Sequence, residues 1–375
     1  MAKIGYFISD HGLGHASRSL AVIRSLLNCD LDLIIEIFSS KPLPFLKKAL
    51  ISSEYENRVF FYDHKNDFGF IPEYKYGNIN PQKTKEALQN WVNEWNTNLL
   101  YDLFQIVKQR NYTLIISDIS PHIFLIAEKL NVPSIAISNF TWYNIYETLG
   151  CSSSLLKTLW NAYRAASFAM LLPFDLKNPM FQSTFQTNLV SRNSTRSASE
   201  MYDYLQIDHE NLVIYVGTGL SMSNPFLTEW TLHSPESTFI LGGVSSISHP
   251  QIRTISPDDP EGQDYIACSD VALIKYGYSS VAEAIRAQVP ILGVDFAQTA
   301  ESKHIKRIVE KLGIGTSISI DDFFSGKWNT KLSKIKDLKE NYKSLPPRFT
   351  KLGEQQIATH ILTFLDDLSN ESFSL

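Results

Sequence analysis

The sequence places its most reactive side chains in a short stretch near the N-terminus, DHGLGHASR (10–18), which holds two histidines and one arginine within eight residues. An apolar run that predicts a strand, KIGYFI (3–8), precedes it, and apolar residues with helical spacing follow in SRSLAVIRSLL (17–27). Glycines let the backbone approach a ligand closely, and a helix N-terminus favours negative charge. Because an imidazole can act as a general base near neutral pH, His15 is a candidate catalytic residue. The alternative is that His15 only caps the helix.

The second candidate is a carboxylate, Asp118, which follows the buried strand predicted by TLIIS (113–117). The carboxyl ends of parallel strands share one edge of a sheet, so we expect Asp118 at the same edge as His15. A carboxylate there would orient the imidazole and stabilise its charged form. The other reading of Asp118 is an N-cap for the helix predicted at 121–130.

A third stretch, KYGYSSVAE (275–283), combines a strand end, a glycine and a helix start that carries two serines. Backbone N–H groups and hydroxyls at such a helix start suit a diphosphate group. Glu283 lies one turn into the helix and could bind ribose hydroxyls, or it is an acid that the helix dipole favours there. A fourth stretch, DFAQTAE (295–301), offers polar groups for a sugar, or it is an ordinary strand-to-helix loop.

Two weaker patterns indicate other chemistries. Asp30 and Asp32 spell an Asp-x-Asp, but they fall in a short loop where a solvated turn is the favoured interpretation, so we predict no metal site. The glycines at 12 and 14 match only part of the dinucleotide fingerprint. An NAD-linked oxidoreductase would need an acid at the end of the second strand, which instead ends in FSS (38–40).

Composition excludes several classes of protein. Of the 375 residues, 44% are apolar and 19% charged, which excludes general disorder and predicts more than one domain. With a net charge of −5, we expect no nucleic-acid partner and at most peripheral membrane contact. Three scattered cysteines do not suit a disulfide framework, and no signal peptide or membrane helix is recognisable. We therefore predict a cytoplasmic protein.

Strands and helices alternate along both halves of the chain. Predicted strands cover 3–8, 32–38, 58–62, 113–117 and 133–138, then 211–218, 237–243, 270–275 and 289–294. Further helices are predicted at 82–110, 279–288, 299–312 and 354–368. Strands that are apolar on both faces and alternate with helices form a parallel sheet between helix layers.

The predicted fold class is therefore α/β, with two tandem doubly wound Rossmann-like domains and a ligand cleft between them. Residues 1–172 form the predicted N-terminal domain. A junction follows at 173–210, where Ser, Thr and Asn are frequent. The predicted C-terminal domain covers 211–353, and a helix and tail occupy 354–375.

Four stretches together resemble the GT-B glycosyltransferases: DHGLGHASRS (10–19), LIISDIS (114–120), VPSIAISNFTWYNIY (132–146) and SDVALIKYGYSSVAEAIRAQVPILGV (269–294). The likeness is to peptidoglycan-type N-acetylglucosaminyltransferases and to small-molecule glucosyltransferases. It is greatest to the glycosyltransferase-like region that precedes the kinase domain of plant arabinokinases. The motifs occur in the expected order over most of the chain. We expect no kinase domain after them.

The resemblance implies an inverting, metal-independent transfer of a sugar from a nucleotide diphosphate, with UDP expected, to the hydroxyl of an unidentified acceptor. No cofactor is implied beyond the nucleotide sugar itself. His15 stands where related transferases have the base, and Asp118 where they have its partner acid. Expected donor-binding residues are Gly14, Arg18, Gly217, Thr218, Lys275, Gly277, Tyr278, Ser279, Ser280, Glu283 and Glu301. The resemblance also implies that the N-terminal domain is the acceptor side, with Trp142 and Tyr143 as its expected residues, and that the C-terminal domain binds the nucleotide sugar.

Other functions fit the same residues. A GT-B-like module could bind a nucleotide sugar without transferring it, because fold likeness does not establish activity. An epimerase of the same architecture would act on the nucleotide sugar itself. Binding without turnover would favour the module, and nicotinamide binding would favour an oxidoreductase.

Overall fold

The computed structural model describes residues 2–51, 54–73, 79–95, 99–217, 230, 234, 236–242, 249–296 and 299–372. The chain divides into two compact units. Unit 1 comprises residues up to Pro72, Ile79–Val190 and the C-terminal segment from Lys351, and unit 2 comprises Ser191–Thr350. The division after Val190 falls inside the predicted junction at 173–210. The C-terminal helix is part of unit 1, where it packs against the first helix of the chain.

Unit 1 is a parallel sheet with helices around it. Its strands are β1 (Lys3–Ile8), β2 (Ile34–Ser39), β3 (Val59–Asp63), β4 (Leu114–Asp118), β5 (Ser134–Ser138), β6 (Phe168–Leu171) and β7 (Thr184–Gln186). Its helices are α1 (Gly14–Cys29), α2 (Leu43–Leu50), α3 (Pro81–Trp95), α4 (Leu99–Arg110), α5 (His122–Leu130), α6 (Trp142–Thr148), α7 (Ser153–Arg164) and α15 (Gly353–Ser372). The strand order is β3-β2-β1-β4-β5-β6-β7.

Unit 2 repeats the plan. Its strands are β8 (Leu212–Gly217), β9 (Ser237–Leu241), β10 (Ile252–Thr254), β11 (Val271–Lys275), β12 (Ile291–Val294) and β13 (Gly315–Ile318), in the order β10-β9-β8-β11-β12-β13. Its helices are α8 (Ala198–Leu205), α9 (Gly262–Ala267), α10 (Tyr278–Arg286), α11 (Ala300–Lys311), α12 (Ile320–Ser325), α13 (Ile335–Glu340) and α14 (Pro347–Thr350), with 3₁₀ turns at Lys327–Lys334 and Asn341–Ser344.

The predicted α/β class with two Rossmann-like sheets is confirmed, and all nine predicted strands are present within a residue or two of their bounds. The stretch 82–110 contains two helices, α3 and α4, where one was predicted. The strands β6, β7, β10 and β13 were not predicted from the sequence. Each of these has three or four residues, too few for a periodic pattern to stand out.

Both sheets reverse their strand order beside the first strand, between β1 and β4 in unit 1 and between β8 and β11 in unit 2. Helices on the two sides of such a point leave a crevice at the carboxyl ends of the strands, where ligands bind in open α/β sheets. In unit 1, Ile8 at the end of β1 is in register with Asp118 at the end of β4. No helix in the described part of the chain is long and apolar enough to span a membrane.

Candidate active site

The candidate site of unit 1 lies at the reversal point between β1 and β4. The chain leaves β1 after Ile8, turns through Gly12, which has a φ of +71°, and enters α1 at Gly14. His15 is thus the second residue of the helix, and Asp118 ends the neighbouring strand. The proximity of His15 and Asp118 could be predicted from the sequence, because each residue lies at or soon after the carboxyl end of a strand.

His15 and Asp118 are hydrogen-bonded, with Nδ1 of the imidazole 2.8 Å from Oδ1 of the carboxylate. The Asp118 side chain is fully buried and His15 is 7% exposed. A carboxylate only accepts hydrogen bonds, so in the neutral ring this contact favours the proton on Nδ1 and the lone pair on Nε2. Arg18 Nη2 also lies 3.0 Å from Nδ1. The rings of Phe140 and Trp142 lie 5.8 Å and 6.3 Å from the imidazole. The pair has the geometry of an imidazole base with an orienting acid.

Asp118 also binds an arginine that the resemblance had assigned to the donor. Arg18 donates from Nε to Oδ2 at 2.7 Å and from Nη2 to Oδ1 at 2.6 Å, and its Nη1 donates to Oδ1 of Asn139. Ser19 Oγ donates to Oδ2 at 2.9 Å. Burial would raise the pKa of Asp118, but the charges of Arg18 and His15 outweigh it and hold the pKa at about 2. Arg18 is 3% exposed, and its guanidinium contacts Asp118, Asn139 and His15.

A second buried carboxylate, Asp67, ties the surrounding loops together, and the sequence analysis did not identify it. Its Oδ1 accepts from Ser9 Oγ and from the backbone N–H of Asp10, both at 3.0 Å. Its Oδ2 accepts from Ser120 Oγ at 2.8 Å and from Trp142 Nε1 at 3.0 Å. Burial raises the pKa of Asp67, and the Trp142 hydrogen bond partly offsets this. No local pattern marks Asp67, because its partners lie on three separate segments of the chain.

Asp10 closes the same edge of the sheet. Its carboxylate accepts three backbone N–H groups, from Ser40 at 2.7 Å, Lys41 at 3.0 Å and Asn66 at 2.6 Å. These bonds join the loop after β1 to the loops after β2 and β3. The first acid of the DHGLGHASR stretch therefore shapes the loops around His15.

The two expected acceptor-side residues lie in different surroundings. Trp142 is fully buried and contacts the rings of His11 and His15 as well as Asp67. Tyr143 is one position further along α6, about 100° around the helix. Its hydroxyl donates to Glu147 at 2.9 Å, and its ring lies 5.4 Å from Trp160. Only Trp142 is placed beside the candidate base.

A cluster of four rings, His64, Trp91, Trp95 and His122, is a further feature that the sequence did not predict. His64 is partly buried, and its ring lies 6.1 Å from the ring of His122. His122 also lies 6.0 Å from Trp91 and 5.9 Å from Trp95. Burial and the neighbouring His64 lower the pKa of His122 to about 3. Both imidazoles are therefore neutral near pH 7.

In unit 2, the predicted diphosphate site is a helix start. Gly277 is the N-cap residue of α10, Tyr278 and Ser279 are buried in its first turn, and Ser280 is half-buried. Lys275 ends β11 and interacts electrostatically with Glu301. Of the other expected donor-binding residues, Gly217 ends β8, Glu301 lies in the first turn of α11, Gly14 begins α1 in unit 1, and Thr218 lies outside the described residues.

The stretch after β12 borders a cavity of about 100 Å³. It is lined by Tyr276, Asp295, Phe296, Ser302, Lys303 and Lys306. Lys306 Nζ lies 2.6 Å from Asp295 Oδ2, so these two of the three charged lining residues form an ion pair. Within the described ranges, no three His, Cys, Asp or Glu side chains group as a metal-ligand set.

Glu283, the expected ribose-binding acid, has a cation as its neighbour. Arg192 donates from Nε to Glu283 Oε1 at 2.8 Å, and its Nη2 lies 2.7 Å from the same oxygen. Arg192 Nη1 donates to the Pro260 carbonyl at 2.6 Å. The ion pair between Arg192 and Glu283 therefore connects the first residues of unit 2 to α10. A ribose hydroxyl would have to share Glu283 with this guanidinium.

The comparisons with known proteins agree with this architecture. No protein-family profile matches the chain. The chain is 24% identical to L-arabinokinase of Arabidopsis thaliana over 372 residues, which cover 95% of this chain and 34% of that protein. It therefore spans about a third of the length of the curated relative it matches.

Two solved structures illustrate the likeness in fold. The calicheamicin glycosyltransferase CalG4 has a TM-score of 0.68 at 14% identity, covering 98% of this chain and 99% of its own. Arabidopsis thaliana UGT89C1 complexed with UDP has a TM-score of 0.64 at 13% identity, covering 97% of this chain and 100% of its own. Both matches extend over nearly all of this chain and therefore over both units. The chain has the two-domain fold of the GT-B glycosyltransferases.

Proposed function

We propose that the protein transfers a sugar from a nucleotide diphosphate sugar to the hydroxyl of an acceptor, with inversion at the anomeric carbon. The observation that carries this proposal is the 2.8 Å contact between His15 Nδ1 and Asp118 Oδ1 at the strand-reversal edge of unit 1. This contact supports the proposal, because a proton held on Nδ1 would leave Nε2 as a base at the edge where ligands bind in open α/β sheets. The likeness in fold to GT-B glycosyltransferases supports this class of reaction.

The reaction is a single displacement. The acceptor oxygen attacks the anomeric carbon, its proton passes to Nε2 of His15, and the bond between the sugar and the diphosphate oxygen breaks. The electron pair of that bond leaves with the nucleotide diphosphate. Asp118 stabilises the imidazolium through Nδ1–H, as a buried carboxylate does for a histidine base. Inversion follows because one attack on the opposite face replaces the leaving group.

The donor would be bound by unit 2. The start of α10, with its backbone N–H groups and the hydroxyls of Ser279 and Ser280, offers positive potential to the departing diphosphate. Lys275 at the end of the preceding strand adds a cationic group. These groups could offset the leaving charge in a metal-independent reaction without a resident cofactor. UDP is the first nucleotide to test, because UGT89C1 carries it in a solved complex.

The experiment begins with binding. We would measure the thermal stabilisation of the full chain by UDP, GDP, ADP, CDP, TDP and NAD, and then by nucleotide sugars of the class that binds. Glu283→Gln tests the ribose contact, and Glu147→Gln, an exposed acid of unit 1, is the matched control. Saturable stabilisation by one nucleoside diphosphate, weakened only in Glu283→Gln, supports the donor site.

Product analysis then tests the reaction. Mass spectrometry would seek a glycosylated acceptor in an acceptor library, NMR would assign the anomeric configuration, and a chelator would test metal dependence. A retained anomeric configuration contradicts the single displacement. Stabilisation without turnover favours a binding module, and an altered nucleotide sugar formed without acceptor favours an epimerase. Stabilisation by NAD alone overturns the proposal.

A further inference from the structure

Arg18 lies three residues after His15 on α1, so both side chains project from the same side of the helix. Its guanidinium is 3% exposed and donates from Nε and Nη2 to Asp118 and from Nη1 to Asn139. A guanidinium presents its donors in a fixed planar fork. These contacts engage all three nitrogens of the guanidinium with Asp118 and Asn139.

The fork determines how the Asp118 carboxylate is oriented. Two parallel charge-assisted bonds, one to each oxygen, hold the carboxylate plane in the plane of the guanidinium. Ser19 Oγ adds a third bond to Oδ2. Oδ2 accepts hydrogen bonds from Arg18 Nε and Ser19 Oγ. Oδ1 accepts from Arg18 Nη2 and is the oxygen that faces His15 Nδ1.

The orientation of Oδ1 selects between the two neutral forms of the His15 ring. With the proton on Nδ1, the ring donates to Oδ1 at 2.8 Å. With the proton on Nε2, lone pairs of Nδ1 and Oδ1 would face each other at that distance. Arg18 Nη2 lies 3.0 Å from Nδ1 and carries a second hydrogen, so it could then donate to Nδ1 while it binds Oδ1 at 2.6 Å. The shorter contact, between Nδ1 and the ionised carboxylate, favours the proton on Nδ1. The proton on Nδ1 leaves Nε2 with the lone pair that a base needs.

We propose that Arg18 is a positioning residue that fixes the Asp118 carboxylate and so keeps the His15 proton on Nδ1, with the basic nitrogen directed at the acceptor. The effect of Arg18 on the proton position of the His15 ring does not depend on which ligand binds. Its importance for catalysis rests on the proposed function. The competing role is donor binding, as the resemblance implied for Arg18. The two roles differ in what a substitution changes.

The test uses two substitutions of Arg18 and one control. Arg18→Lys keeps the positive charge but loses the fork, and Arg18→Met loses both. The control is Arg24→Met, which removes an arginine from the same helix whose Nη2 donates to the Ala49 carbonyl at 2.9 Å. Nitrogen-15 chemical shifts of the His15 ring, in full chain labelled at histidine, report which nitrogen carries the proton.

We expect one form protonated at Nδ1 in the unsubstituted protein and in Arg24→Met. In Arg18→Lys the two ring nitrogens should move toward a common intermediate shift, because one ammonium cannot hold both carboxylate oxygens. Arg18→Met should move them further. Ring shifts in Arg18→Lys identical to those of the unsubstituted protein would overturn the proposal. If Arg18→Met does not fold, Arg18→Lys decides alone.

Kinetics separate positioning from donor binding. As a positioning residue, Arg18→Lys should lower kcat by about 10–10²-fold and leave the nucleotide affinity unchanged, since a disturbed proton assignment affects only the chemical step. A raised KM or Kd for the donor with unchanged kcat would instead assign Arg18 to the donor. If no nucleotide binds the unsubstituted protein, the transferase proposal fails while the nitrogen shifts still decide the role of Arg18.

Discussion

Arg192 and Glu283 form an ion pair inside unit 2, with each side chain 7% exposed. Arg192 comes from the first residues of the unit and Glu283 from the second turn of α10. The pair joins the entry of unit 2 to the helix that we expect to bind the diphosphate.

Breaking this pair should destabilise unit 2. Arg192→Met leaves Glu283 as a buried carboxylate without its cation, and such a loss costs about 3–5 kcal/mol. The double variant Arg192→Met/Glu283→Gln removes the uncompensated charge and should recover part of that loss. Chemical denaturation followed by fluorescence of Trp328, which lies in the core of unit 2, measures the effect. Additive losses in the double variant would show that the two residues do not interact.

Removal of the proposed base should lower turnover by about 10²–10⁴-fold without loss of nucleotide binding. His15→Ala removes the acceptor of the substrate proton, and general base catalysis contributes about 10²–10⁴-fold. The comparison variant is His360→Ala, an exposed histidine on α15. Turnover and nucleotide-induced stabilisation would be measured on both. Unchanged turnover in His15→Ala would exclude the imidazole from the chemistry.

Unit 1 should lose stability in acid through His122. Its pKa is about 3 in the folded protein, because of burial and then His64, against about 6.5 for an unfolded histidine. Between these values the unfolded chain takes up a proton that the folded chain does not, so stability falls as pH decreases from about 6.5 towards 3. The contribution of one site is at most about 1.4 kcal/mol per pH unit.

The free energy of unfolding, measured at several pH values, tests this. His122→Phe keeps a ring in the cluster and should flatten the slope between about pH 6.5 and 3. His360→Phe, on the exposed face of α15, should leave the slope unchanged. Equal slopes in all three proteins would mean that His122 is not the group responsible.

Two glycines offer a matched test of the loops around His11. Gly12 and Gly69 both have a φ of +71°, which an L side chain adopts at a cost of about 1–2 kcal/mol. A Cβ on Gly12 would contact nothing within 4 Å, whereas one on Gly69 would lie 2.0 Å from His11 Nδ1. Gly69→Ala should therefore lose about 1–3 kcal/mol more than Gly12→Ala, the usual cost of overpacking. Equal losses in thermal or chemical unfolding would contradict this packing of His11.

The sequence alone was sufficient to predict two parallel sheets between helices and to place His15 and Asp118 at one edge of the first sheet. Apolar runs and helical spacing are local properties, so β1, β4 and α1 could be assigned without knowing their neighbours. His15 and Asp118 were identified because each directly adjoins a strand end. The same rule identified the helix start after β11. It could not indicate which strands are adjacent, and the register between Ile8 and Asp118 is a property of the whole sheet.

The tertiary structure decided which charges pair. Arg18 and Asp118 are 100 residues apart in the sequence, and Arg192 and Glu283 are 91 apart. No local pattern distinguishes an arginine that binds a ligand from one that holds a buried acid. Asp67 and the neutral His122 were missed for the same reason, since burial and partners from distant segments define their chemistry. Which charges are desolvated and paired depends on contacts that only the packed sheet creates.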